Sequence, residues 1–218
     1  MSLRTKLILF ALVLLILDQV FKFWIKTHLI IGEEFDVWGD WFKIHFLENN
    51  GMAFGMGADS GVFGKILLTL FRIAAVGGIF WYIGRLIREK APAGIVFSFV
   101  LILCGALGNI IDSLFYGMLF NGSEGQIASF LPEGGGYASF LQGKVVDMLY
   151  FPLWKGVLPE WLPFWGGEYF IFFRPVFNLA DSYITIGVLI LILFHWRFFS
   201  SKPAGIPASA ETEQEKTA

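Results

Sequence analysis

The chain has 218 residues, 56% of them hydrophobic, with 25 Phe, 8 Trp and a formal net charge of −2. Its mean hydropathy is +0.66, which excludes an ordinary soluble domain, and the near-zero charge leaves no basic face for nucleic acid. The one cysteine, Cys104, lies in an apolar run and reads as a small packing residue, with no internal disulfide to make.

Four stretches reach the roughly 20 apolar residues that a bilayer crossing requires: about 7–25, 66–84, 94–114 and 181–199. The first has a basic start (Arg4, Lys6) like a secretory leader, but "DQVFKFWIK" follows it without a small-x-small cleavage site, so it reads as a retained span. Asp18 falls roughly 18 Å beyond Lys6 along such a helix, at ~1.5 Å per residue, with Lys22 one turn further on the same face. In the loop at about 26–65, "EFDVWGDWFKIHF" alternates: Phe42, Ile44 and Phe46 share one face, Lys43 and His45 the other. Gly39-Asp40 makes a tight turn between Phe35–Trp38 and Trp41–Phe46, which predicts a β-hairpin. "GMAFGMGADSGVFGK" is read as a short interfacial helix. Span two carries Arg72 near one end and Arg85, Arg88 and Lys90 at the other; span three ends at Asp112.

The long loop at about 113–180 has two parts. "FNGSEGQIASFLPEGGGYASFLQGK" is rich in Gly and Ser and reads as flexible; its Asn121-Gly-Ser triplet matches a glycosylation acceptor but is common by chance. "YFPLWKGVLPEWLPFWGGEYFIFF" is dense in aromatics and is expected on or in the outer leaflet. Asp147 lies between them in "GKVVDMLYF", and Asp181 opens span four. Arg197 and Lys202 follow, then a polar tail, 201–218, expected to be disordered. Four crossings place all the basic clusters on one side, which predicts cytoplasmic termini and both large loops outside. The expected class is an all-α polytopic membrane protein, one domain over 1–200, with a small β element outside.

Asp18, Lys22, Arg72, Asp112 and Asp181 thus gather near one membrane boundary, with amides from Gln19, Asn49, Asn109 and Asn178 close in sequence. Each alone is most simply a snorkelling cap. As a set they point to a site, because charges in lipid must face one another or a wet cavity. His28, His45 and His195 have no metal-ligand spacing, so neither metal nor cofactor is expected. No GxSxG elbow is present, and Ser113 and Ser182 read as local helix-end hydrogen bonders. Carboxylates remain. If Asp147 and Asp181 meet, one keeps a proton, and such a pair hydrolyses a peptide bond by acid–base chemistry. Spacing alone favours a blander reading, with Asp181 a helix cap and Asp147 on the surface. A proton channel using Asp18, Asp112 and Asp181, or a scaffold, also stands at this point.

Five ordered blocks change the balance: "LDQVFK" (17–22), "NNGMAFG" (49–55), "GALGNIIDS" (105–113), "GKVVDM" (143–148) and "FNLADSYITIG" (177–187). With the four-span layout they resemble lipoprotein signal peptidase (signal peptidase II). The resemblance implies a four-helix bundle with a β-cradle and a short surface helix, in the bacterial inner membrane, with its site near the outer face. It implies an aspartyl endopeptidase, expected monomeric and surrounded by membrane lipid, that cuts diacylated prolipoproteins just before the lipidated cysteine. Asp147 and Asp181 match its catalytic aspartates. Asn49, Gly51, Asn109, Asp112 and Asn178 match positions lining or supporting the site, and Asp18 and Lys22 its first-span polar pair. Two departures stand out. Ser113 replaces the family's usual Arg, with Arg174 or Arg72 expected to supply the charge. The inserts 118–143 and 151–174 are long and are expected to gate the site.

Overall fold

The computed structural model describes residues 1–50 and 61–194. Gly51, most of the expected surface helix, the end of the fourth span and the tail lie outside the described residues.

Among the described residues, three helices are long and apolar enough to cross a membrane. The first, α1 (Leu3–His28), exceeds the expected 7–25 at both ends, and Ser2 caps it by accepting from Thr5 N. Its burial pattern is inverted relative to a soluble helix. Asp18, Lys22, Ile25 and Lys26 are buried, while Ile8, Leu12, Ile16 and Val20 are exposed. A helix solvated by hydrocarbon turns its polar stripe inward, because lipid offers no partner for charge. The second, α2 (Gly61–Arg88), exposes Phe71, Phe80 and Trp81 in the same way. The third is compound: α3 (Ala93–Ile111), a π-helical turn (Asp112–Tyr116) and a short α4 (Gly117–Leu119). A final apolar helix, α5 (Leu179–Leu193), is described for 15 residues, or about 22 Å at ~1.5 Å per residue.

Helix α3 lies at the centre and packs most intimately on α5. A β-carbon at Gly105 would strike the Ala180 carbonyl, and one at Gly187 would meet Ile102 Cγ1 and the Ser98 carbonyl at 2.7 Å. Without a hydrophobic force between helices in lipid, small residues of this kind set how closely backbones approach.

Outside the helices the chain carries more β-structure than its pattern announced. The predicted hairpin is present as β1 (Glu34–Trp38) and β2 (Phe42–Asn49), with Ile44 and Phe46 inward. Beyond it, β3 (Val145–Tyr150) and β6 (Val176–Phe177) complete an antiparallel sheet in the order β1-β2-β3-β6. All six residues of β3 are buried, so the surface position first considered for Asp147 is corrected. A continuous apolar run such as Val-Val-x-Met-Leu-Tyr is that of a strand covered on both faces. The aromatic insert folds as a separate hairpin of β4 (Trp154–Val157) and β5 (Tyr169–Phe172). Its connection exposes Trp161, Phe164 and Trp165, with Phe164 93% accessible.

The Gly- and Ser-rich stretch departs from its flexible reading. Phe120 bridges Phe130, Asn121 Oδ1 accepts from Ser129 N at 2.6 Å, and Tyr137 N donates to the Phe120 carbonyl at 2.9 Å. Phe120 is fully buried in the core below the sheet with Ile25, Phe46 and Met148. Local side-chain hydrogen bonds and one buried aromatic order a segment whose composition alone promises only mobility.

Candidate active site

Each carboxylate of interest reaches the site through backbone that another side chain fixes. Asn178 caps α5, accepting at Oδ1 from Asp181 N at 3.0 Å, and Asp181 Oδ2 accepts in return from Asn178 N at 3.3 Å. That reciprocal box satisfies two donors that a helix start leaves open, and the helix N-terminus favours a negative charge there. The remaining amide group of Asn178 donates to Asp147 Oδ1 at 2.7 Å. One buried asparagine therefore links the two acids from β3 and α5. Asn49, the last residue of β2, donates from Nδ2 to Asp147 Oδ2 at 3.2 Å. Asn109 donates to Asp181 Oδ1 at 2.8 Å.

Burial, first, and the neighbouring charge of Asp181, second, push the Asp147 carboxyl up to about 7, against the pull of Asn49 and Asn178. Desolvation penalises the ionised form, and a nearby like charge adds to the penalty.

Beneath lies a second cluster of acids, built around a lysine. Lys22 Nζ is 3.0 Å from Asp18 Oδ2 and 2.8 Å from Asp112 Oδ2, and all three side chains are buried. Gln19 donates to Asp18 Oδ2 (3.1 Å), to Asp112 Oδ1 (3.0 Å) and to the Gly108 carbonyl (3.2 Å), and accepts from the Tyr116 hydroxyl at 3.2 Å. Asp18 Oδ1 accepts from Ala180 N at 3.0 Å, and Asp112 Oδ2 from Val146 N at 3.2 Å. Ala180 precedes Asp181 and Val146 precedes Asp147. The lower cluster thus grips the main chain next to each upper acid. Gly108 makes room for this, since a β-carbon there would lie 2.5 Å from Asp18 Oδ2.

Asn109 joins the two clusters. Its Oδ1 accepts from Lys22 Nζ at 2.9 Å. A lysine only donates, so the amide oxygen faces Lys22 and the NH₂ faces Asp181.

Ser113 is buried and donates back to the Asn109 carbonyl at 3.0 Å, so it contributes no charge. Arg72, from α2, acts electrostatically on Asp181 first, then on Asp147 and Asp112. Arg174 acts on Tyr150. The charge of Arg72 therefore acts on both acids. A cavity of about 360 Å³ adjoins Asp181 and is lined by Phe173, Pro175, Phe177, Ser182, Thr185 and Ile186. Its walls are mostly apolar, as a pocket for a lipid-borne chain would be. Among the described residues no three His, Cys, Asp or Glu side chains converge as metal ligands do.

The structure brings together every predicted site residue that it describes: Asp18, Lys22, Asn49, Asn109, Asp112, Asp147, Asn178 and Asp181. Sequence reasoning passed over Tyr116 and a second buried ionic group at Lys26, Glu48, Ser123 and Lys144. For Lys26 a clue was available: 18, 22 and 26 are spaced by one turn on one helix face.

The chain was compared with known proteins. A family model described as signal peptidase (SPase) II matches residues 10–197. The lipoprotein signal peptidase of Porphyromonas gingivalis (strain ATCC BAA-308 / W83) is 50% identical over 188 residues, 86% of this chain and 81% of that protein. That of Amoebophilus asiaticus (strain 5a2) is 38% identical over 186 residues, covering 84% and 74%. Two solved structures, described as a bacterial membrane enzyme determined by the in meso method, share the fold, each with a TM-score of 0.58. They are 23% and 25% identical and cover 94% and 88% of this chain and 97% and 93% of their own.

Proposed function

The chain belongs to the signal peptidase II family of aspartic proteases, and we propose that Asp147 and Asp181 are its catalytic pair. The family's task is removal of the signal peptide from prolipoproteins. The carrying observation is that two acids from different elements are linked through Asn178 and contacted by neutral amides. With no lysine between them, the two share one proton. Asp147, more deeply buried, holds it and hydrogen-bonds the scissile carbonyl oxygen. Asp181, at the helix start, takes a proton from the attacking water. The tetrahedral intermediate collapses as a proton passes to the leaving amine, and the pair regains its starting state.

The remaining family residues take supporting roles. Asn49, Asn109 and Asn178 orient the carboxylates, and Asp18, Lys22 and Asp112 hold the backbone beside them. Gly51 is assigned to substrate binding by its place in the "NNGMAFG" block alone.

We place α5 as the outer half of a fourth span, with both termini cytoplasmic and the pair near the extracytoplasmic face of the inner membrane. A signal peptide crossing the bilayer then presents the bond before its lipidated cysteine at the depth of Asp181. The apolar cavity beside Asp181 is open to an apolar part of that substrate.

The test is cleavage of a diacylated prolipoprotein by purified wild type, Asp147→Asn and Asp181→Asn. Each variant is expected to lose activity by ~10²–10⁴-fold while remaining folded. Wild-type rates in either variant would remove that acid from the mechanism.

A further inference from the structure

The second buried ionic group lies one turn beyond Lys22 and touches neither catalytic acid. Lys26 is fully buried, and its ammonium pairs with Glu48 Oε1 and donates to Ser123 Oγ at 2.9 Å. Ser123 Oγ donates to the same Glu48 oxygen at 2.9 Å. The other carboxylate oxygen of Glu48 lies 3.1 Å from Lys144 Nζ. The Tyr137 ring faces both ammonium groups, at 5.0 and 5.7 Å, and its hydroxyl accepts from Lys144 N at 2.6 Å. Four segments meet here: the last turn of α1, the end of β2, the stretch after α4 and the residue before β3.

A buried ion pair is weak evidence for stability, since apolar residues of equal volume often do as well; its best-attested use is fixing register. Register matters at this place. Glu48 pairs across the sheet with Val146, one step from Asp147, and Asn49 with Val145, two steps from it. The β2–β3 pairing shifts register between Ile44 and Leu47, so the ladder is interrupted just before this end. Asn49 is also the terminal residue of β2, and strand ends are the first to open. Yet the Asn49 amide must stay on Asp147 Oδ2.

We propose that Lys26, Glu48 and Ser123 form a positioning node that pins the end of β2 so that Asn49 holds the Asp147 carboxylate. Through Ser123, the 118–143 insert becomes part of the active-site support. The idea rests on Asp147 being catalytic. Burial alone would raise the Glu48 carboxyl, but Lys26 and Lys144 outweigh it and hold it below the usual range. Glu48 therefore stays ionised while Asp147 changes protonation.

The experiment is a double-mutant cycle on the full chain: Glu48→Gln, Asn49→Ala and the two together. kcat and KM are measured per folded enzyme on a diacylated prolipoprotein, with Asp147→Asn as control. Each single change is expected to lower kcat roughly tenfold with KM nearly constant, and the double variant to be no worse than either. A merely structural node would leave kcat per folded molecule unchanged, or give losses that multiply to roughly a hundredfold, and either result overturns the proposal. Should Glu48→Gln fail to fold, Ser123→Ala keeps every charge. The same cycle with Asn49→Ala is then expected at about threefold amplitude, and additivity again overturns the node. Activity surviving in Asp147→Asn would instead overturn the catalytic reading, and this one with it.

Discussion

Two pairs of acids lie one above the other in this protein and are treated in opposite ways. Asp18 and Asp112 have Lys22 between them. Asp147 and Asp181 have Asn178 between them, with Asn49 and Asn109 at the flanks. A lysine brings a compensating charge to its neighbours, whereas an amide orients a carboxylate without adding a charge of its own. The lower pair therefore serves as a strut and holds Ala180 and Val146 by their backbone N–H groups. In the upper pair no cation is bonded between the acids, and the Asp147 carboxyl is pushed up to about 7, a value suited to the acid–base role proposed for it. Lipid accounts for the lower pair: with no water to screen or solvate charge, buried acids there must find a cation.

The strongest way to break this contrast is Lys22→Met. It leaves two buried carboxylates without their cation and is expected to cost about 3–5 kcal/mol, seen as lost folded yield or a collapsed thermal transition in detergent. If Lys22→Met folds like wild type and loses only activity, the division between strut and catalyst is wrong.

Next in size is pH. Asp147 must be protonated to donate, and its carboxyl is pushed up to about 7. Its proton is present below that value and lost above it. kcat/KM is therefore expected to fall as pH rises through about 7, approaching tenfold per unit beyond. Stability follows the same sign. An acid raised above its unfolded value contributes stability that is present at low pH and fades as pH rises through the folded value. The thermal midpoint of Asp147→Asn should accordingly gain on wild type from pH 5 to 8. A constant difference between the two would contradict the raised carboxyl.

A smaller effect sharpens the question of the missing arginine. Arg72→Gln is expected to lower kcat about tenfold, since its charge acts on both upper acids, and Arg174→Gln to stay within about twofold. The reverse order would move the assisting cation to the end of the aromatic hairpin.

Much of the site was legible because its residues lie in short blocks. Asp18 and Lys22 are one helical turn apart, and the "FNLADS" block contains both halves of its own capping box, Asn178 and Asp181. The long-range bonds were not legible. Asn49 to Asp147 spans 98 residues and Lys22 to Asn109 spans 87, and no local pattern encodes such a pairing. The strand carrying Asp147 was missed for a related reason. It is buried on both faces, so it shows no alternation, and a short apolar run reads equally as helix or strand.

By itself the sequence determined that this chain spans a membrane and which residues carry its charge, because hydropathy and helix spacing are local properties. Only the tertiary structure decided which acid received a lysine and which received an asparagine. That choice depends on how closely α3 approaches α1 and α5 over Gly105, Gly108 and Gly187, and on the sheet register that sets Asn49 beside Asp147. Backbones must first meet within a few ångströms before buried polar groups can satisfy one another. In lipid that satisfaction decides which buried groups can be held together.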